Sequence, residues 1–164
     1  MAAAAVLAGS DVLVAGPAGP LGAVFAARSG AWPADPAADV TGPVLVVCGS
    51  ANAVSHEQLA QLEHAGLGTT VVAPEATSGP LDGHAAERVA EQAHDVAVAL
   101  QPGTIVLVGG DTAAAFLGDP PRLVGGFAAP GMPFSRDADG GGPLVVTKAG
   151  GFGTPDALVR LLSA

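Results

Sequence analysis

The 164-residue chain has no tyrosine, one lysine and one cysteine, and only 4% of it is aromatic. A lone cysteine cannot form an internal disulfide, so a reducing compartment fits. Cys48 lies in the apolar run 43–48 and reads as a small buried hydrophobe. Positive charge is scarce: 6 Lys plus Arg stand against 15 Asp plus Glu, a formal net charge of −9. An acidic chain without a basic cluster argues against nucleic acid and against anionic membrane surfaces. No uninterrupted apolar run is long enough to span a bilayer. Residues 1–7 are apolar but lack a basic stretch, and Gly9, Ser10 and Asp11 soon interrupt them. No signal peptide is read there, and a cytoplasmic protein is expected. The histidines His56, His64, His84 and His94 show no metal-ligand spacing with one another or with Cys48, so they read as solvated or capping residues and no metal site is assigned. Ser50 lacks the context of a hydrolase nucleophile.

What is present is small and apolar. Hydrophobic residues make up 49% of the chain, with 24 glycines and 14 prolines. This is enough chain for one domain with a real core. Residues 12–16 read as a short strand, followed by Gly16-Pro17-Ala18-Gly19-Pro20-Leu21-Gly22 and a small-residue helix to about Ala27. That glycine spacing is neither a dinucleotide fingerprint nor a P-loop. Residues 29–42, with Pro33 and Pro36 and no periodicity, read as a linker that Trp32 could anchor.

From residue 43 on, strands and helices alternate. Pro43–Gly49 is a continuous apolar run of the kind buried on both faces of a parallel sheet. Gly49-Ser50-Ala51-Asn52 ends it. Ser55 and Gln58 then read as a capping box, Leu59 and Leu62 as an inner face and Gly66 as the helix stop. Strand 69–73, loop 74–83 and an amphipathic helix over 84–100 follow, the last marked by Val89, Ala93, Val96 and Leu100. Strand 104–108 runs into Gly109-Gly110-Asp111-Thr112 and a short helix over 112–117. Asp111 could hold a Mg²⁺-bound water or a ribose, or simply cap that helix. Strand 122–127 leads to a loop at Pro130-Gly131-Met132-Pro133, and 137–142 reads as a hairpin-like exposed turn.

The last motif is Leu144-Val145-Val146-Thr147-Lys148-Ala149-Gly150-Gly151-Phe152-Gly153. It reads as a strand, a glycine turn with the lone lysine on its rim, and a helix beginning at Thr154 with Pro155 at its first position. The inner face of that helix is Leu158, Leu161 and Leu162. Glycines allow close backbone approach, and a helix start offers unpaired N–H groups, a geometry that suits phosphate. The expected fold is α/β, a three-layer Rossmann-like sandwich with a mostly parallel sheet flanked by helices. In such a sheet the three glycine turns gather at the carboxyl ends of the strands.

In order, Gly49-Ser50-Ala51-Asn52 with Ser55 and Gln58, Gly109-Gly110-Asp111-Thr112-Ala113, Ala129-Pro130-Gly131-Met132-Pro133 and Thr147–Gly153 resemble the motifs of the four-carbon acid sugar kinases, formerly a domain of unknown function. The resemblance is to that family's C-terminal nucleotide-binding domain and covers residues 43–164. Residues 1–28 would then be a remnant resembling the exit of the N-terminal domain, and 29–42 the linker. Such kinases transfer the γ-phosphate of ATP to threonate-, erythronate- or oxo-tetronate-like acids. The resemblance implies ATP and Mg²⁺ as cofactors, with Ser50, Asn52, Gly109, Gly110, Asp111, Thr112, Gly131, Lys148, Gly150 and Gly151 around the nucleotide. Two positions depart from the family pattern: Asn52 replaces its second serine and Ser55 its threonine. The family's acid-sugar domain has no counterpart here. Asp39-Val40-Thr41-Gly42 echoes its aspartate-rich motif only from within the linker, so no catalytic residue is assigned.

Three readings remain open: an ATP-binding subunit completed by a separate sugar-acid-binding chain, a non-catalytic nucleotide or phosphometabolite module, and an independent small enzyme. An oligomer fits each, because a short apolar chain without its partner domain should expose a patch.

Overall fold

The computed structural model describes residues 38–74 and 84–163. These lie in a unit that runs from Pro36 to Ala164. The expectations for strand 12–16, the helix to Ala27, the linker over 29–37 with Trp32, and most of loop 74–83 fall outside the described residues. The order is β1 (Val44–Cys48), α1 (Ala53–Ala65), β2 (Thr70–Val72), α2 (Ala85–Leu100), β3 (Thr104–Val108), α3 (Gly110–Leu117), β4 (Arg122–Ala129), β5 (Met132–Asp137), β6 (Leu144–Lys148) and α4 (Ala157–Leu162).

Among the described residues one six-stranded sheet holds the strands in the order β2-β1-β3-β6-β5-β4. β2, β1, β3 and β6 are parallel, and β5 and β4 close the far edge as an antiparallel hairpin. β1, β3 and β6 are largely apolar because both their faces are covered. Alternation sorts their side chains into two layers. Val46, Cys48, Val106, Val108, Leu144 and Val146 pack with Leu62 of α1 and with Leu158 and Leu161 of α4. Leu45, Val47, Ile105, Leu107 and Val145 face Val89 and Ala93 of α2, with Ala113, Phe116 and Leu117 of α3 packed against them. The result is the expected three-layer α/β sandwich.

Four local expectations change. First, α1 starts before Ser55. Asn52 is its N-cap, with Oδ1 accepting from the Val54 N–H at 2.9 Å. Ser55 and Gln58 are therefore not a capping box. They share the buried stripe of α1 with Leu62 at spacings of three and four residues. Second, α3 begins at Gly110 rather than at 112. Third, the segment expected as a loop around Pro130–Pro133 is a hairpin turn, and Met132–Asp137 is a full strand. Fourth, α4 begins at Ala157 rather than at Thr154, because Ala157 N–H bonds the Thr154 carbonyl in a tighter i→i+3 turn first. The expected exposed turn near 137–142 does join antiparallel strands, with Gly140 N–H donating to the Asp137 carbonyl.

The hairpin is held down by one close approach. The ring of Phe134, a core residue of β5, lies over Gly125 of β4, where an added Cβ would come within 2.2 Å of the ring. Gly125 sits at the register shift between Val124 and Gly126. Gly125→Ala should displace Phe134 and cost about 1–3 kcal/mol, the usual range for overpacking. Urea unfolding of the variant reads this cost, and a midpoint equal to wild type would show that the ring moves aside freely.

Candidate functional site

The sheet changes winding direction between β1 and β3, since β1 leads to β2 on one side while β3 lies on the other. Crevices in open α/β sheets form at the carboxyl ends of strands at such a switch. A cleft of about 520 Å³ lies here, lined by Gly49–Asn52, Ala85, Ala86, Gly109–Thr112, Gly150 and Gly151. Each segment arrives for a local reason. Asn52 caps α1, Gly109 turns the chain into α3 with φ of 106°, and α2 points its first turn at the end of β1. Three helix starts thus present N–H groups and positive dipole ends to one cavity.

The walls are stitched across strands. Thr112 is buried, and its Oγ1 accepts from the Gly49 N–H at 3.0 Å, joining the turn after β1 to the turn after β3. A Cβ at Gly49 would meet that oxygen at 2.7 Å and the Ala86 Cα at 3.2 Å. On the opposite wall, a Cβ at Gly150 would lie 2.4 Å from Ser50 Oγ, and one at Gly151 would lie 3.0 Å from Asn52 Nδ2. Small residues are required here by contact.

Of the residues singled out in the sequence, Ser50, Asn52, Gly109, Gly110, Asp111, Thr112, Gly150 and Gly151 line this cleft. Gly131 and Lys148 do not. They border an adjoining hollow of about 370 Å³ that shares Gly109 and Gly110. Lys148 is the larger surprise, because it is not on a rim. Its side chain is 2% exposed, and Nζ donates to the carbonyls of Ala149 at 2.9 Å and Gly150 at 3.1 Å. Alternation along β6 explains this, since Leu144, Val146 and Lys148 point into the same α1/α4 layer.

Ser55 and Gln58 meet the same loop. Ser55 Oγ donates to the Gly150 carbonyl at 2.8 Å, and Gln58 Nε2 to those of Phe152 at 3.0 Å and Thr154 at 2.9 Å. Burial lowers the Lys148 pKa from its ordinary 10.5, with Cys48 pulling it back. Burial likewise raises Cys48 above 9.0, against the opposing pull of the Ser50 backbone and the Lys148 charge.

Ala85 and Ala86 were missed in the sequence. Alanines at a helix start carry no signal, and only the strand order places them over Gly49. Among the described residues, no cluster of three or more His, Cys, Asp or Glu side chains could hold a metal, and no helix is long and apolar enough to cross a membrane.

No family model and no curated protein matches the chain. Solved structures do. A domain of unknown function (DUF1537) from Bordetella bronchiseptica, crystallised with citrate as a domain-swapped dimer, is 30% identical to it. That match covers 74% of this chain and 39% of the Bordetella chain, with a TM-score of 0.61. A second crystal form of the same protein gives 28% identity, coverage of 74% and 40%, and a TM-score of 0.62. The Haemophilus influenzae protein HI1011, assigned to the same family, is 18% identical over 98% of this chain and 49% of its own, with a TM-score of 0.64. At that identity the likeness is one of fold. The chain spans two fifths to half the length of these structures.

The burial of Lys148 has a consequence in alkali. With no tyrosine and no other lysine, few groups titrate near pH 10. Between the lowered pKa of Lys148 and 10.5 the unfolded chain binds more protons than the native one, so this group makes stability rise with pH. Cys48 acts oppositely, because above 9.0 the native thiol keeps a proton that the unfolded one has lost. In a Cys48→Ala background, urea midpoints should therefore climb toward pH 10.5, and adding Lys148→Met should flatten the climb. A flat profile before Lys148 is changed would show that its burial costs nothing.

Proposed function

We propose that the chain is the ATP-binding part of a kinase that phosphorylates four-carbon sugar acids of the threonate, erythronate or oxo-tetronate type, with Mg²⁺ as the companion cation. One observation carries the reading: three helix starts and the Gly150-Gly151 turn converge on one cleft whose walls would clash with larger side chains. Such a surface offers neutral N–H donors at close range, which is what triphosphate recognition and phosphoryl transfer need. Asp111 is exposed at the first turn of α3 and is the one carboxylate among the described residues lining the cleft. Mg²⁺ bound mainly by phosphates and water needs little more. The likeness to the Bordetella DUF1537 structure supports the family resemblance of the motifs. The acceptor acid would be held by chain outside the matched part, in a separate sugar-acid-binding subunit. A homo-oligomer also belongs to the proposal. The Bordetella protein is a domain-swapped dimer, and edge strand β4 exposes Leu123, Val124 and Phe127 here.

One observation favours a second reading, a non-catalytic nucleotide-binding module. Among the described residues lining the cleft, Asp111 is the sole titratable side chain, so a separate base for an acceptor hydroxyl is missing from that wall.

Calorimetry of the full chain with MgATP tests the proposal, and absence of binding removes both readings. A Cβ at Gly110 meets nothing within 4 Å, so Gly110→Ala should keep or raise stability by up to about 1 kcal/mol. It should still weaken MgATP binding by placing a methyl group on the cleft wall. Asp111→Asn should reduce the Mg²⁺ dependence of binding. Binding with ATP consumption on erythronate or threonate only after a sugar-acid-binding chain is added selects the split kinase. Binding that never leads to turnover selects the module.

A further inference from the structure

The loop from β6 to α4 takes five side-chain hydrogen bonds on its own carbonyls, from Lys148, Ser55 and Gln58. All three donors are at most 2% exposed. The described peptide bonds are trans, so each N–H points opposite to the C=O of its own peptide unit. The carbonyls of Ala149 and Gly150 face the buried donors, which turns the N–H groups of Gly150 and Gly151 to the other side. Among the described residues neither N–H donates to any acceptor, and both glycines line the cleft.

These donors are poorly rewarded as core residues. Lys148 has no carboxylate partner among the described ion pairs, and Gln58 Oε1 is buried with no hydrogen-bond partner among the described residues. Apolar side chains of similar size would fill the layer without either defect. The Phe152 N–H also bonds the Ala149 carbonyl, at 3.1 Å, while the Gly150 carbonyl is held by Ser55 and Lys148; what the polar groups achieve, and apolar ones cannot, is adding to that turn to fix which way both peptide units face.

We propose that Ser55, Gln58 and Lys148 are positioning residues that hold the Ala149–Gly151 peptide units carbonyl-inward, so that the N–H groups of Gly150 and Gly151 meet a phosphoryl oxygen in the cleft. The proposal rests on the phosphate-binding reading above. It gives Lys148 an indirect role: its charge acts on the loop, and the loop acts on the ligand.

Backbone amide NMR of the full chain tests this, with inorganic triphosphate as the probe and with the variants Ser55→Ala and Lys148→Met. In the wild type, triphosphate should shift the Gly150 and Gly151 amides together with those of Gly110–Thr112. In each folded variant, residual dipolar couplings should report reoriented Gly150 and Gly151 N–H vectors before ligand is added. Triphosphate affinity should fall about tenfold, the equivalent of one hydrogen bond, while Gly110–Thr112 still respond. A merely structural role would lower the melting temperature and leave those vectors unchanged. Ser55→Ala removes one of two donors to a single carbonyl, so it carries the test should Lys148→Met fail to fold. Unchanged couplings and unchanged Gly150 and Gly151 responses in a folded variant overturn the inference. A wild-type response confined to Gly110–Thr112 overturns it while the proposed function stands. Silence of the wild type toward both triphosphate and MgATP overturns both.

Discussion

The lateral register of three parallel strands sets everything at the site. Cys48 of β1 lies beside Val108 of β3, which lies beside Lys148 of β6. The three strands therefore end at one level, and the turns that follow leave from one edge of the sheet. A shift of one residue in any of them would move its turn by about 3.3 Å and send its side chains to the opposite layer. The register is specified strongly because both faces are buried, with Leu45, Val46, Leu107 and Val146 all inaccessible to water. Thr112 then locks the two central turns together through the Gly49 N–H.

Much of this was legible in the sequence, for definable reasons. Short runs rich in Val and Leu at 43–48, 104–108 and 144–147 read as strands covered on both faces, and glycine turns at helix starts mark where such strands end. The stripe of Val89, Ala93, Val96 and Leu100 fixed α2 to within a residue. Strand order was not legible, because nothing in β2 or β3 says on which side of β1 each will pair. That order alone brings Ala85 and Ala86 to the cleft. The hairpin was half hidden too. Pro130 and Pro133 read as loop signals, yet one lies in the turn and the other on a strand paired through Phe127. Gly125 looks like a strand breaker until the ring of Phe134 is seen to fill its place.

The positions expected for Ser55, Gln58 and Lys148 changed in an instructive way. A serine followed three residues later by a glutamine has the form of a capping box, and the same spacing also marks one face of a helix. Leu62, four residues beyond Gln58, tips the balance toward the inner face. Likewise, a lysine beside glycines looks like a phosphate ligand, but parity with Leu144 and Val146 turns it into the core layer. In both cases side-chain chemistry pointed one way and periodicity the other, and periodicity decided the position.

This placement bears on how an acidic chain could hold an anion. A net charge of −9 gives no long-range attraction for phosphate, and no lysine or arginine is among the described residues lining the cleft. Beyond the Debye length of about 8 Å in physiological salt, the surface carboxylates are largely screened. Within that distance, fixed N–H dipoles and helix starts dominate, and they act more strongly where water is excluded. Neutral donors are useful only if they already point at the ligand, since reorienting a peptide unit on binding would consume part of the interaction. A buried acceptor such as Gln58 Oε1, without a partner among the described residues, costs about 1–3 kcal/mol on the usual scale, and the buried ammonium of Lys148 adds desolvation. A chain with one lysine that uses it to hold two loop carbonyls puts its scarce positive charge into orientation rather than direct attraction.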